Sequence, residues 1–415
     1  MTAPRCRLHA FVTPPSDGGS TIPPVHGAGP AEILVLIVDA GGGHRSAANA
    51  LVAAAVAEDL PFTLRVESLQ DVLESVDFVR RIFGVSIETA YNFLIQHRLT
   101  RALRLLLRVL HGAIRLRYHA LTRAMEEHLR SRPPALVVSL APHFNGVVRD
   151  AVRRATPPTR FLTLLTDYAD FPPHFWIEPG VDRVIVGSRE AEAQAASLGV
   201  SPSRVSRISG MVLHPRFYDL DRASARKAIR AELGIPEGTP TLLVLFGGKG
   251  SPEIEPLCAA LLARSLLWHV VAICGANPGL EARLGTLARG SEGRLHSVGF
   301  TLRMPEFMAA CDLLLTKPGP GAIAEALHLG LPLVVVSGDY TVPQERFNAR
   351  FLVQEGLGGV VRDWRELPLA AARLFENGGA ALRLIEERVR QLPSNRAVFE
   401  ALEIFSEEAR RGASA

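Results

Sequence analysis

Thr316-Lys-Pro-Gly-Pro-Gly-Ala-Ile-Ala-Glu325 follows an apolar run, Cys311-Asp-Leu-Leu-Leu315, and leads into Ala326-Leu-His-Leu-Gly330, which reads as a short helix. A strand, a Gly/Pro-rich turn and a helix start make an anion cradle. Glycine lets backbone approach a ligand, and the free N–H groups at the positive helix end stabilise phosphate oxygens. Glu325, about one turn inside the helix, is placed to accept hydrogen bonds from a sugar hydroxyl next to that phosphate. The segment therefore predicts a nucleotide diphosphate site at the end of a buried strand.

Working outward, the same strand-turn-helix unit recurs. Ala31-Glu-Ile-Leu-Val-Leu-Ile-Val38 is a continuous apolar run, as expected of a parallel strand buried on both faces. It runs into Asp39-Ala-Gly-Gly-Gly-His-Arg45 and then an alanine-rich helix from Ser46 to Glu58. Phe62–Val66, Ala135–Ser139, Phe161–Leu165 and Arg183–Val186 continue the strand series, with helical stretches between most of them. The pattern resets around Arg204–Phe217. A second series then begins with Thr241–Phe246 and a glycine turn, followed by Trp268–Cys274, Leu295–Val298, Leu313–Leu315 and Leu331–Val336. Strands alternating with helices predict doubly wound α/β sheets, with ligands beyond the carboxyl ends of the strands. Two such Rossmann-like domains facing across a cleft are expected: 31–207 and 208–415, with the last helix packing back on the first. Residues 1–30 read as a disordered leader, rich in proline and glycine and without a signal-peptide core.

The chain's 415 residues suffice for two domains of ordinary size. A hydrophobic content of 47% with 21% charged residues fits a globular protein. No apolar run reaches the roughly 18 residues that would suggest a spanning helix. The four cysteines have no metal-like spacing, which favours free thiols in a reducing compartment. Of 46 Lys plus Arg residues only three are lysines, and two of these, Lys249 and Lys317, sit in glycine turns. A compact ammonium approaches phosphate where a broad guanidinium does not fit. Coding bias toward arginine, with two chance survivors, is the plainer account and stays open.

From Arg98 to Arg117 the helical period puts Leu99, Leu103, Leu106, Leu110 and Ile114 on one face, and Arg101, Arg104, Arg108 and Arg115 opposite them. Between Arg98 and Arg132 nine arginines face only two glutamates. Such a helix suits an anionic membrane surface, each cation adding about 1 kcal/mol. A core-packed helix with a solvated charged face fits equally well. Nucleic acid is a poorer partner, because no aromatic residues interleave with the arginines.

Together these segments resemble glycosyltransferase family 28. Val38-Asp-Ala-Gly-Gly-Gly-His-Arg-Ser46 is similar to the N-terminal loop of monogalactosyldiacylglycerol synthases. Lys317–Leu327, Gly330-Leu-Pro332 and Gln344-Glu-Arg-Phe-Asn348 resemble their donor site. The likeness covers roughly residues 33–360. It implies the GT-B fold, an inverting mechanism without a bound metal or other cofactor, and a UDP-sugar held by the C-terminal domain. On that resemblance Gly247, Gly248, Lys249 and Gly250 contact the donor phosphates, and Gly299 and Phe300 flank the uracil. Lys317, Pro318, Gly319, Pro320, Gly321 and Ala322 cradle the diphosphate. Glu325 binds the ribose, and Gln344, Glu345 and Asn348 face the donor sugar. The acceptor side takes in Gly42, Gly43, His143, His174 and Trp176.

His44 is the residue best suited to the chemistry. Attack on an anomeric carbon needs an acceptor hydroxyl whose proton is removed, and imidazole does that near neutral pH. A place at a helix start favours its neutral form. Asp39 is a second candidate for base or orienter, and Asp167 could assist proton transfer. Asp167 and Asp170 also have the look of a metal pair, though the family needs none. A glycine loop reading Gly-Gly-Lys-Gly departs from plant relatives at Lys249, so its phosphate contacts do not transfer directly. The expectation is a transferase moving galactose or glucose from UDP to diacylglycerol, peripheral at the cytoplasmic face of the cell membrane. A polyprenyl or other lipid acceptor, a UDP-sugar 2-epimerase of the same fold and a non-catalytic binding module remain alternatives.

Overall fold

The uninterrupted apolar runs become the central strands of two all-parallel sheets. The computed structural model describes residues 31–38, 42–73, 100–170, 175–265, 267–338 and 341–413, with backbone alone at 100–105, 343 and 413. The leader 1–30, Asp39 and His174 lie outside the described residues, as do the side chains of Arg101 and Arg104.

The first half runs β1 (Ala31–Ile37), α1 (Gly43–Ala57), β2 (Phe62–Ser68), α2 (Leu69–Leu73), α3 (Thr100–Ser131), β3 (Leu136–Ser139), α4 (Asn145–Ala155), β4 (Arg160–Leu164), β5 (Arg183–Val186), α5 (Arg189–Ser197) and β6 (Val205–Arg207). The second half runs α6 (Arg222–Glu232), β7 (Thr241–Leu245), α7 (Ile254–Arg264), β8 (His269–Ile273), α8 (Pro278–Arg289), β9 (Leu295–Val298), α9 (Met304–Ala310), β10 (Leu313–Thr316), α10 (Pro320–His328), β11 (Leu333–Val336), α11 (Arg346–Gln354), β12 (Gly358–Val361), α12 (Leu367–Arg390) and α13 (Ala397–Ala413).

Strand order is β2-β1-β3-β4-β5-β6 in one sheet and β12-β11-β10-β7-β8-β9 in the other. In each, the order reverses beside the strand that opens the half: between β1 and β3, and between β7 and β10. A crevice forms at such a switch point, beyond the carboxyl ends of the strands. The sequence therefore delivers its glycine turns to the two places where an α/β sheet opens.

Small side chains let α1 lie close on its sheet. Ala47, Ala48, Ala50 and Ala54 are buried there beside Leu51. The last helix, α13, packs on this first sheet: Ala397, Val398, Ala401, Leu402 and Phe405 share a core with Ile33, Val35 and Ile37. The fully buried Glu408 on α13 pairs with Arg183 at 2.8 Å and with Arg160, clamping the helix to β4 and β5. Removing one partner of so buried a pair is far costlier than the pair is stabilising.

The long helix α3 resolves one open question from the sequence. Its apolar face is turned inward, where Leu107, Leu110, Ile114, Leu121, Met125 and Leu129 join the first core. Arg108 and Arg115 are exposed, and so are their neighbours Val109 and Leu116. Of the stripe, Leu106, Leu110 and Ile114 pack inward, while Leu99 and the Leu103 side chain lie outside the described residues, and Arg108 and Arg115 are left to solvent. Among the described residues no helix is long and apolar enough to cross a membrane.

Candidate active site

One cleft of about 1500 Å³ takes in both switch points. Its C-terminal wall is built from two loops pressed together. In the loop after β7, Gly247 has φ +82° and Gly250 φ +68°, and the Gly250 N–H donates to the Gly247 carbonyl at 3.1 Å. A Cβ on Gly250 would lie 2.4 Å from the Cys274 carbonyl oxygen, so both conformation and space demand glycine. The loop after β10 is tied to β7 by the Thr316 hydroxyl, which donates to the Leu245 carbonyl at 2.5 Å. Gly319 caps α10 and Pro320 opens it, leaving the first amides of the helix without intrahelical partners.

Lys317 crosses this wall. Its Cε lies 3.3 Å from where a Cβ on Gly247 would sit, and its Nζ is 3.5 Å from Glu345 Oε1. Lys249 is exposed on the facing loop. Two ammonium groups, glycine backbone and a helix N-terminus thus converge on one volume, which is the chemistry a diphosphate requires.

At the cleft floor Glu325 is pushed up to about 7 by burial, an effect partly offset by Arg216. Arg216, from the segment joining the two sheets, donates to the Leu302 carbonyl at 2.7 Å. Leu302 stands beside Phe300, which is 71% exposed and so offers a face for a base to cover.

The donor residues read from the sequence line this cleft, apart from Gly299 and Asn348. Gly299 is backed by Glu281, whose carboxylate lies 2.6 Å from where a Cβ would be. Asn348 is fully buried behind the loop, and its amide N–H donates to the Pro318 carbonyl at 2.8 Å, bracing the cradle.

The N-terminal wall carries the titratable groups. Gly42, with φ +86°, caps α1, and His44 is the second residue of that helix. His44 Nδ1 is 3.1 Å from the Thr166 hydroxyl. An Nδ1–H donated to Thr166 puts the lone pair on Nε2, the tautomer of a general base. The His44 ring also lies 5.5 Å from the Trp176 ring. Trp176 in turn donates its indole N–H to Asp167 Oδ2 at 3.1 Å. Burial, with Glu345 across the cleft and nearby Asp170 adding to it, pushes the Asp167 carboxyl up to about 7. Thr166, Asp167, Trp176 and His44 form one connected set.

Asp170 is tied up within its own loop. Its carboxylate accepts the backbone N–H groups of Phe175, Trp176 and Ile177 at 2.8–3.1 Å, which fixes the loop that carries Trp176. No group of three or more potential metal ligands is gathered among the described residues.

His143 follows β3 and lines the same wall. Its Nδ1 is 3.0 Å from Nε2 of His111 on α3, and its ring lies 4.3 Å from that of Phe175. The sequence reading missed His111, Arg216 and the orienting role of Thr166. His111 was discoverable, since it falls four residues after Leu107 and three before Ile114, on the apolar face of α3. Nothing local in the sequence marks Arg216.

The far side of the cleft carries an apolar stripe, with Gln70, Asp71 and Arg117 beside it. Leu107, Leu110, Ile114 and Leu121 of α3, with Leu69 and Leu73 of α2, line its far side.

Comparison with known proteins matches the two halves of the chain to two separate family models. Residues 44–212 match the family model for monogalactosyldiacylglycerol (MGDG) synthase, and residues 241–382 match that for the glycosyltransferase family 28 C-terminal domain. Monogalactosyldiacylglycerol synthase 1, chloroplastic, of Arabidopsis thaliana is 28% identical over 395 residues, covering 92% of this chain and 72% of that protein. A probable monogalactosyldiacylglycerol synthase 2, chloroplastic, of Oryza sativa subsp. indica is 29% identical, covering 89% and 78%. In three dimensions the crystal structure of Acinetobacter baumannii MurG superposes with a TM-score of 0.57 at 14% identity, over 91% of this chain and all of that one. The fold is therefore GT-B. The MGDG synthase model thus falls on the wall that carries His44 and the family 28 C-terminal domain model on the wall that carries the glycine loops, and the chain, similar to glycosyltransferases on both walls, is a hexosyltransferase.

Proposed function

We propose that the protein transfers galactose or glucose from a UDP-sugar to the hydroxyl of diacylglycerol, with inversion at the anomeric carbon. One observation carries the reading: a single cleft holds a phosphate cradle on one wall, and an oriented histidine beside an apolar lining on the other. The phosphate wall fits a nucleoside diphosphate donor, and the apolar lining fits an acceptor with alkyl chains.

In this reading the acceptor O–H gives its proton to His44 Nε2 as its oxygen attacks the anomeric carbon. The bond from that carbon to the β-phosphate oxygen breaks, and the electron pair leaves with UDP. Lys317, Lys249 and the first amides of α10 stabilise the charge gathering on the leaving diphosphate. This is the work a metal ion would otherwise do, and the proposal assigns it to the chain. Glu325 accepts from the ribose hydroxyls, and Gln344 and Glu345 face the sugar.

The apolar lining also favours a lipid acceptor over the epimerase alternative, which has no alkyl chain to bind. Exposed Val109 and Leu116 beside Arg108 and Arg115 suit peripheral docking on an anionic membrane, which we assign to the cytoplasmic face of the cell membrane.

The test incubates purified protein with radiolabelled UDP-galactose or UDP-glucose and liposomes containing diacylglycerol, beside a His44→Ala variant. Labelled glycolipid that disappears with His44→Ala is the expected result. UDP binding without any labelled lipid would overturn the acceptor assignment.

A further inference from the structure

His143 is placed unlike any other polar residue of the cleft. Its backbone has φ +77°, a conformation uncommon for a residue with a side chain. The conformation is locked, because the His143 N–H donates to the Phe175 carbonyl at 2.6 Å and the ring packs on the Phe175 ring. On its other side the ring meets His111 edge-on, with centroids 5.1 Å apart, and its Nδ1 is committed to His111 Nε2 at 3.0 Å. Among the described residues none bonds His143 Nε2, which is therefore the ring nitrogen a molecule in the cleft would meet.

Burial works against charge on this pair. Burial, reinforced by His111 and His44, holds His143 down at about 3. Burial and the Arg115 guanidinium also lower His111. If His111 donates Nε2–H to His143 Nδ1, both rings take the Nε2–H tautomer, the form a free neutral imidazole prefers. His143 then presents one uncharged N–H donor to the cleft.

Its position in the row of groups matters. His143 touches α3 through His111, and through Phe175 it adjoins the loop whose Trp176 packs against His44. It thus stands between the apolar lining and the base. A glycerolipid lying with its chains on α3 and its hydroxyl at His44 has its ester groups in between. A neutral donor suits a carbonyl oxygen and gives a phosphate no countercharge.

We propose that His143, held by His111, donates Nε2–H to an ester carbonyl of the acceptor and so selects acyl glycerolipids over acceptors lacking that carbonyl. The inference rests on the acceptor reading above and adds a specificity-determining residue to it.

The test compares 1,2-diacylglycerol with its 1,2-dialkyl ether analogue as acceptors in phosphatidylcholine vesicles. Wild type is expected to prefer the ester by about tenfold in kcat/KM, the size of one net hydrogen bond. His143→Gly keeps the backbone conformation and should abolish the ester preference by bringing the ester down to the ether's rate. His143→Asn, which tolerates positive φ and retains an N–H donor, should recover part of the preference. His111→Leu leaves residue 143 intact and should weaken the preference by releasing the tautomer, which keeps the test decisive if His143→Gly fails to fold. UDP affinity confirms that each variant retains its donor wall.

Equal use of both acceptors by wild type would overturn the inference and leave the transferase reading standing. So would a His143→Gly variant that slows both acceptors alike while binding UDP normally. Failure of wild type to glycosylate either acceptor would reject the acceptor reading, and the inference with it.

Discussion

The two sheets share an all-parallel frame and a switch point beside their opening strand, yet they furnish that point with opposite chemistry. The C-terminal switch point is mostly backbone: glycines forced by close contacts, amides at the start of α10, and two lysines. The N-terminal one is mostly side chain: His44, Thr166, Asp167, Trp176 and the His111–His143 pair, set beside a leucine stripe. Backbone recognition suits a ligand whose charge is fixed and whose shape varies little, as with a diphosphate. Side-chain recognition suits a reaction that moves a proton and an acceptor that is mainly hydrocarbon. One fold supplies both because the strands set only where the crevice lies.

If the division is real, damage to the two walls separates in kinetics. The largest effect is expected on the N-terminal wall. His44→Ala should lower kcat by about a thousandfold, the usual scale for losing a general base, with UDP affinity unchanged in calorimetry. On the C-terminal wall Lys317→Ala should weaken UDP binding about 10- to 100-fold, the worth of a hydrogen bond to a charged group, while kcat changes less. A His44→Ala variant that also loses UDP binding, or a Lys317→Ala variant that binds UDP normally, would break the comparison.

How much of this was legible before folding differs between the walls. The glycine wall could be read almost residue by residue, because backbone conformation and ligand chemistry both demand glycine and lysine at adjacent positions. Asn348 shows the boundary. Its motif was visible, but whether its amide points at the sugar or at the Pro318 carbonyl is a matter of packing. On the histidine wall His44, Asp167, His143 and Trp176 could be named from the sequence, but not the contacts that join them. Thr166 lies 122 residues from His44 and reaches it because β1, β3 and β4 are adjacent in the sheet. His111 and His143 meet only because α3 packs over the β3 end. The central strands were plain as apolar runs. The edge strands β6 and β12 were not: Val-Ser-Arg is too short to show alternation, and Gly358-Gly359 carries no β-forming signal. Gly358 is nonetheless required there, since a Cβ would lie 2.6 Å from the Leu333 carbonyl oxygen.

A smaller effect sharpens the role of side chains on the N-terminal wall. Thr166→Val keeps the volume and removes the hydroxyl that holds His44 Nδ1. Turnover is expected to fall about tenfold, with the acid limb of the kcat/KM profile displaced and the KM for the UDP-sugar unchanged. A variant that is slow at every pH by the same factor, or that loses donor affinity, would make Thr166 a packing residue only.

The smallest effect lies in stability, where the walls behave alike. Each carries one carboxyl raised to about 7 mainly by burial, Asp167 on one side and Glu325 on the other. In the unfolded chain these groups titrate near 3.8 and 4.5. Between those values and about 7 the folded protein holds protons that the unfolded chain has released, so the slope of stability with pH is negative. Their contribution is fully present below about 4 and is lost as pH rises through about 7, by at most about 1.4 kcal/mol per group per pH unit. Urea unfolding of wild type between pH 5 and 8 should show this decline. Asp167→Asn and Glu325→Gln, each keeping shape without charge, should each flatten part of it, and the double variant should flatten more. A decline untouched by both substitutions would place its origin outside the cleft. A decline removed by Asp167→Asn alone would show that water already reaches Glu325, leaving the backbone wall as the one whose chemistry does not depend on pH.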